Sequence, residues 1–178
     1  GLCILFGFFI SFGISSVVLT LEHCRSFLVG PLLSRFGATI GKGVHFKGRY
    51  FLDNVVGDED SLGNFSNLII GDACVIGKGV FFDLTNKIVL EDQVGIGANS
   101  MLMTHMDLGT MPMSAFYSRK SEAIVIGSGT FLGAHVVILH GVSLGKNCVV
   151  AAGTVVTESF PDRCLIAGVP ARLVRRIE

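Results

Sequence analysis

Hydrophobic residues recur at every sixth position over much of this chain. From Ile70 the sequence divides into IGDACV, IGKGVF and FDLTNK, and after Ile88-Val89 into LEDQVG, IGANSM and LMTHMD. The rhythm lapses over 108–125 and resumes at Ile126 as IGSGTF, LGAHVV, ILHGVS, LGKNCV, VAAGTV and VTESFP; a degraded trace, IGKGVH, begins at Ile40. A period of six fits neither a helix at 3.6 nor a two-sided strand at 2, and it marks a solenoid in which each block supplies one short strand and one corner. Three blocks make a triangular coil. The first position (Ile70, Ile76, Ile96, Leu132, Leu144) is predicted to point inward and to stack on the coil below at about 4.8 Å. The fifth (Cys74, Val80, Val94, Thr130, Val136, Val142, Cys148, Thr154) is predicted to be inward and small. Glycine or another small residue at the second position serves the corner, where tight turns disfavour a bulky Cβ.

Three stretches leave this rhythm. Leu2 to Leu21 carries no charge and no histidine and, as a helix, would reach about 30 Å, the thickness of a hydrocarbon core. It is predicted to be a hydrophobic helix in contact with a membrane, the alternative being a helix buried at a subunit interface. Residues 22–39 read as a short helix and a connection. Residues 52–67, with Asp58, Glu59 and Asp60 adjacent, read as a loop leaving the prism, and 108–123 as a second one. Long loops inside a metered solenoid are where function concentrates. The expected organisation is therefore a hydrophobic helical segment and connection at 1–39, followed by an all-β solenoid domain at 40–178 with its two loops and a C-terminal tail.

Composition narrows the function classes. Fourteen basic residues balance fourteen acidic ones, so no global field gathers nucleic acid. Five cysteines without C-x-x-C spacing argue against a disulfide framework or a zinc knuckle and for a reducing, cytoplasmic setting, at the inner face of a membrane if Leu2–Leu21 contacts one. The first residues lack the basic stretch of an intact signal peptide.

The C-terminal third carries a specific succession: Phe131, Leu132-Gly133, Ala134, then HVVI, His140-Gly141-Val142, AAGTVVTE and AGVPARLVR. It resembles the galactoside and maltose acetyltransferases of the hexapeptide-repeat acyltransferase superfamily. The resemblance implies a left-handed parallel β-helix, assembly as a homotrimer, acetyl-CoA as co-substrate and a sugar or glycan hydroxyl as acceptor. It also implies that the Thr-His step in MTHMD makes His105 the general base, with direct attack on the thioester and no acyl-enzyme. Histidine suits that task because its pKa lies near neutral pH.

By the same resemblance Ala134 and Ala152 offer main-chain contacts to the pantetheine arm, Thr157 lies near the adenosine end, and Arg172 and Arg175 meet the CoA phosphates, for which the planar guanidinium is apt. Phe131 stands where the family has tryptophan, Glu158 where it has lysine and His140 where it has proline. On the acceptor side, Asp83 is a candidate for holding sugar hydroxyls, and Asp107 either orients a partner or is a solvated corner residue. Loop 108–123, with Arg119 and Lys120, is expected to cover the acceptor cleft between neighbouring subunits.

Two other readings compete. His105, His135 and His140 match the ligand spacing of γ-class carbonic anhydrases, built on the same prism, and three imidazoles with an open position would make a hydrating zinc site. The polar companions of that site are absent from the sequence. A solenoid serving only as an assembly module is the third reading.

Overall fold

The computed structural model describes residues 13–21 and 26–178. Two helices come first, α1 (Ile14–Leu21) and α2 (Ser26–Arg35). Strands then follow in strict rotation over three faces. The first turn is β1 (Thr39–Ile40), β2 (His45–Phe46) and β3 (Phe51–Asp53); the second β4 (Leu68–Ile70), β5 (Val75–Ile76) and β6 (Phe81–Asp83); the third β7 (Ile88–Leu90), β8 (Gly95–Ile96) and β9 (Met101–Leu102). An antiparallel pair, β10 (His105–Met106) and β11 (Lys120–Ser121), stands outside the coil. Winding resumes with β12 (Ile124–Ile126), β13 (Phe131–Leu132) and β14 (Val137–Ile138), then β15 (Ser143–Leu144), β16 (Val149–Val150) and β17 (Val155–Val156), and ends in a hairpin, β18 (Cys164–Gly168) and β19 (Ala171–Arg176).

Every third strand joins the same parallel sheet, so the first, second and third faces are β1-β4-β7-β12-β15, β2-β5-β8-β13-β16-β18 and β3-β6-β9-β14-β17. The registers stack like on like. Ile70, Leu90, Ile126 and Leu144 form one column, Ile76, Ile96, Leu132 and Val150 a second, and Phe82, Leu102, Ile138 and Val156 a third. All are buried, as are the eight small residues at the fifth position. The period of six thus yields a triangular prism of parallel sheets filled by aliphatic ladders.

Glycine at the second position has a stronger reason than turn geometry. A Cβ on Gly133 would lie 2.5 Å from the amide nitrogen of Ala152 in the next coil, and one on Gly127 2.6 Å from the carbonyl carbon of Gly145. Coils stacked at strand spacing leave no room there. Left-handed backbone appears elsewhere in the corners, at Asn99, Asn147 and His135 (φ 56°, 55° and 56°), residue types that tolerate it.

The open end of a solenoid exposes its apolar interior, and solenoids close it with an atypical segment. Here α1 and α2 form that cap: Ile14, Val17 and Leu21 from one and Val29, Leu32 and Leu33 from the other join the core, and the Tyr50 hydroxyl donates to the Leu21 carbonyl at 3.2 Å. Gly13, at φ +71°, ends α1 at Ile14, so the expectation of one unbroken helix over Leu2–Leu21 is corrected: its second half is a cap, and Leu2 to Phe12 lie outside the described residues. No helix among the described residues is long and apolar enough to cross a membrane.

The loops also start differently from the sequence reading. Leu52 and Asp53 remain in the third face, paired with Phe82 and Asp83, and the excursion begins at Asn54. The second excursion begins at His105, as the β10-β11 arm with a short 3₁₀ turn at Pro112–Ala115, and ends at Ile124.

Candidate active site

Where the third face ends, the apolar interior gives way to a buried polar cluster. Asp83, the last residue of β6, is wholly buried. Its Oδ1 accepts from Asn54 Nδ2 (2.9 Å), the Thr85 amide (3.1 Å) and the Thr85 hydroxyl (2.8 Å). Its Oδ2 accepts from the amides of Thr104 (2.8 Å) and His105 (3.0 Å) and faces His105 Nδ1 at 2.6 Å. A buried carboxylate is tolerated only when so surrounded. Burial pushes Asp83 up, but the hydrogen bonds from Asn54, His105 and Thr85 outweigh it and hold the carboxyl below its usual range.

An ionised Asp83 fixes the neighbouring imidazole. The Thr85 hydroxyl also lies 3.1 Å from His105 Nδ1, but it donates its proton to Asp83, so Nδ1 carries its own proton toward Oδ2. This assignment leaves Nε2 of the neutral ring with a lone pair. The His105 side chain is 18% exposed, enough for that edge to meet a substrate. The pair is braced from behind: the Thr104 hydroxyl donates to the Asp83 carbonyl (2.8 Å) and accepts from the Asn86 amide (3.0 Å), and Asn86 Nδ2 donates to the Ser121 hydroxyl (3.1 Å).

Asp83 therefore departs from its sequence assignment. Expected to hold sugar hydroxyls, it is buried beneath His105, with both oxygens taken by the protein. Asp107 accepts from the Gly109 amide (2.7 Å) and lies 3.5 Å from Arg119 Nε; it fixes its own loop. Asn54, Thr85 and Thr104 were missed. Their signal was the coil spacing: Ile76 stacks under Ile96, twenty residues on, and the same step carries Thr85 to His105.

The residues assigned to the cofactor lie along another edge. Phe131 is half exposed, with its ring over Gly95, where a Cβ would come within 2.9 Å of Phe131 Cδ2. Ala134 and Ala152 line the corner between the second and third faces, and the Ala134 carbonyl accepts from the Gly153 amide (2.9 Å). Thr157 is exposed just past β17. Arg172 and Arg175 project from β19, and Arg172 Nη1 donates to Glu158 Oε1 at 3.3 Å. Parallel strands put Ala134 before the third face and His105 beyond it, so one chain holds the two groups at opposite edges of that face.

The three histidines of the zinc reading do not converge within the chain. His135 is an exposed corner residue and His140 Nδ1 lies 3.7 Å from Glu122 Oε2. Among the described residues of the single chain no group of three histidine, cysteine or acidic side chains is arranged to hold a metal ion.

Comparison with known proteins agrees with the prism. A family profile described as "Hexapeptide repeat of succinyl-transferase" matches residues 123–158. The galactoside O-acetyltransferase of Escherichia coli K12 is 32% identical over 108 residues, which are 57% of this chain and 53% of that protein. The galactoside O-acetyltransferase of Lactococcus lactis is 30% identical over 157 residues, 88% of this chain and 61% of that protein. The chain thus spans between half and two thirds of the length of these relatives.

Among solved structures, a galactoside acetyltransferase in complex with coenzyme A superposes with a TM-score of 0.77 at 25% identity, covering 92% of this chain and 78% of that one. A hexapeptide-repeat acetyltransferase of Vibrio cholerae complexed with acetyl coenzyme A superposes with a TM-score of 0.76 at 23% identity, covering 92% and 85%. Repeat, architecture and relatives coincide: the chain carries the hexapeptide repeat and is similar in sequence and fold to the acetyltransferases built on it.

Proposed function

We propose that this protein is an acetyl-CoA-dependent O-acetyltransferase acting on a sugar or glycan hydroxyl, with His105 as general base. The observation that carries the reading is the Asp83–His105 pair at 2.6 Å, at a corner of the prism where a buried anion orients an imidazole toward the surface. Nε2 takes the proton from the acceptor hydroxyl as its oxygen attacks the thioester carbonyl. The carbon–sulfur bond then breaks, and the imidazolium returns the proton to the leaving thiolate. Asp83 remains ionised throughout and stabilises the transient imidazolium. A positioned base of this kind contributes roughly 10² to 10⁴ in rate.

On the donor side, Phe131 would face the substrate, Ala134 and Ala152 would flank the pantetheine arm, Thr157 the adenosine end, and Arg172 with Arg175 the phosphates. Arg172 is exposed and shares its charge with Glu158, so its contribution to phosphate binding is partial. Placement of His105 and these residues at opposite edges of the third face supports a homotrimer of left-handed prisms, in which one protomer's His105 faces its neighbour's donor residues. Membrane contact at the inner face, confined to the apolar residues ahead of the cap, Leu2 to Phe12, belongs to the same proposal, and would suit a lipid-linked glycan.

The test is free-thiol release from acetyl-CoA across a panel of sugars and glycans, with the acetylated product identified by mass. At least one acceptor is expected to stimulate release. His105→Ala is expected to abolish it while leaving CoA affinity intact. Unchanged turnover in His105→Ala would remove this residue from the mechanism.

A further inference from the structure

Loop 54–67 and the arm 105–121 meet beside the Asp83–His105 pair, and one side chain joins them. Arg119, just ahead of β11, reaches from the arm into the loop. Its Nη2 lies 2.6 Å from Asp58 Oδ1 and its Nη1 2.5 Å from Asp60 Oδ2; Nε faces Glu59 at 3.1 Å and Asp107 at 3.5 Å. The planar fork of a guanidinium can serve two carboxylates at once, which an ammonium cannot. Arg119 is 20% exposed and Asp58 15%, so this is a better-shielded arrangement than a single surface pair.

Both partners are also tied to the catalytic pair. Asn54, at the base of the loop, donates to Asp83, and the Ser61 hydroxyl donates to the Asn54 carbonyl at 2.8 Å. On the other side, Lys120–Ser121 pairs with His105–Met106 in antiparallel register. Chain and contacts therefore close a ring: Asp83, Asn54, the tip of the loop, Arg119, Ser121, His105 and back to Asp83.

We propose that Arg119 is a positioning residue for the acceptor side of the reaction: it fixes loop 54–67 as a wall of the cleft beside His105 and so sets which acceptors reach Nε2. This rests on the reading of His105 as the base. The wall stands at the far edge of the third face from the donor residues, so its loss should be felt by the acceptor and not by acetyl-CoA.

Arg119→Met and Arg119→Lys, made in the full chain, separate the possibilities. Thiol release is measured against the best acceptor of the panel, and amide hydrogen exchange is followed on the same samples. Arg119→Met is expected to raise the acceptor KM at least tenfold, to leave the acetyl-CoA KM within twofold, and to speed exchange in 55–63 and 107–119 while the coil strands keep their protection. Arg119→Lys is expected to recover part of the loss, and that recovery should fade at about 0.5 M salt, where exposed charges are screened. An unchanged acceptor KM in Arg119→Met, an equal rise for acetyl-CoA, or unaltered exchange in both segments overturns the proposal. Failure of the general-base reading looks different, namely full turnover in His105→Ala or no acceptor at all; the exchange comparison still decides whether Arg119 holds the loop.

Discussion

The corner that follows the second face and the corner that follows the third are made by the same winding of the chain, and they carry opposite chemistry. After the second face stand Gly97-Ala98, Gly133-Ala134 and Ala151-Ala152, small residues over which the backbones of successive coils close to contact distance. Past the third stand Asp83, Thr85, Thr104 and His105, buried or half-buried, each hydrogen-bonded to the others or to the backbone. The prism needs only the inward ladders to hold its spacing. Corners are free to differ, one left bare and the other filled with a fixed, buried polar cluster.

The largest effect should come from emptying the polar corner. Asp83→Ala leaves the Asn54 amide and the Thr104 and His105 backbone donors without their acceptor, and is expected to cost several kcal/mol of stability by denaturant titration, at about 1–3 kcal/mol for each buried donor left unsatisfied. The conservative Asp83→Asn sharpens the point through pH. Asp83 titrates below the usual carboxylate range in the fold, so the stability it confers is complete above the ordinary carboxylate pKa and is lost as pH falls through its depressed value. Asp83→Asn should therefore be less stable than wild type at neutral pH, with the gap closing in acid.

Removing a rung of the ladder comes next. Ile138→Ala, in the wholly buried column of the third face, is expected to cost about 2–5 kcal/mol by the same titration. A methyl group at the bare corner is a smaller insult. Gly133→Ala forces Cβ toward the Ala152 nitrogen and should cost about 1–3 kcal/mol by the same titration. Smallest is Glu158→Lys, which frees Arg172 and adds a cation. CoA affinity, measured by calorimetry, should rise a few-fold at low salt and lose the gain as salt is added.

The ladders were legible because six-residue spacing leaves one physical solution for Ile76, Ile96 and Leu132, which must share a column. His135 was legible as well: it holds the block position taken by Asn99 and Asn147, a left-handed corner that asks for no ligand. Asp83 was found but misread. Alone in FDLTNK it looks like a surface acid, and its buried role emerges only when the twenty-residue coil step sets Thr85 beneath His105 and the thirty-residue step sets Asp53 beside Asp83. The partners of Arg119 were out of reach, because 54–67 and 107–119 follow no period and their meeting is settled in three dimensions. The cap over the first coil was hidden for a different reason: an apolar segment satisfies a membrane and a solenoid end equally well, and only the buried Ile14, Val17 and Leu21 assign the second half of this one to the solenoid end.

The central claim, that a buried anion holds His105 with its proton on Nδ1 and its lone pair on Nε2, is tested most directly by the ¹⁵N chemical shifts of the His105 ring near neutral pH. The expected spectrum has a protonated Nδ1 and an unprotonated Nε2 in the wild type, with that preference weakened in Asp83→Asn. A proton on Nε2 of the neutral wild-type ring, or identical spectra for the two proteins, would contradict it.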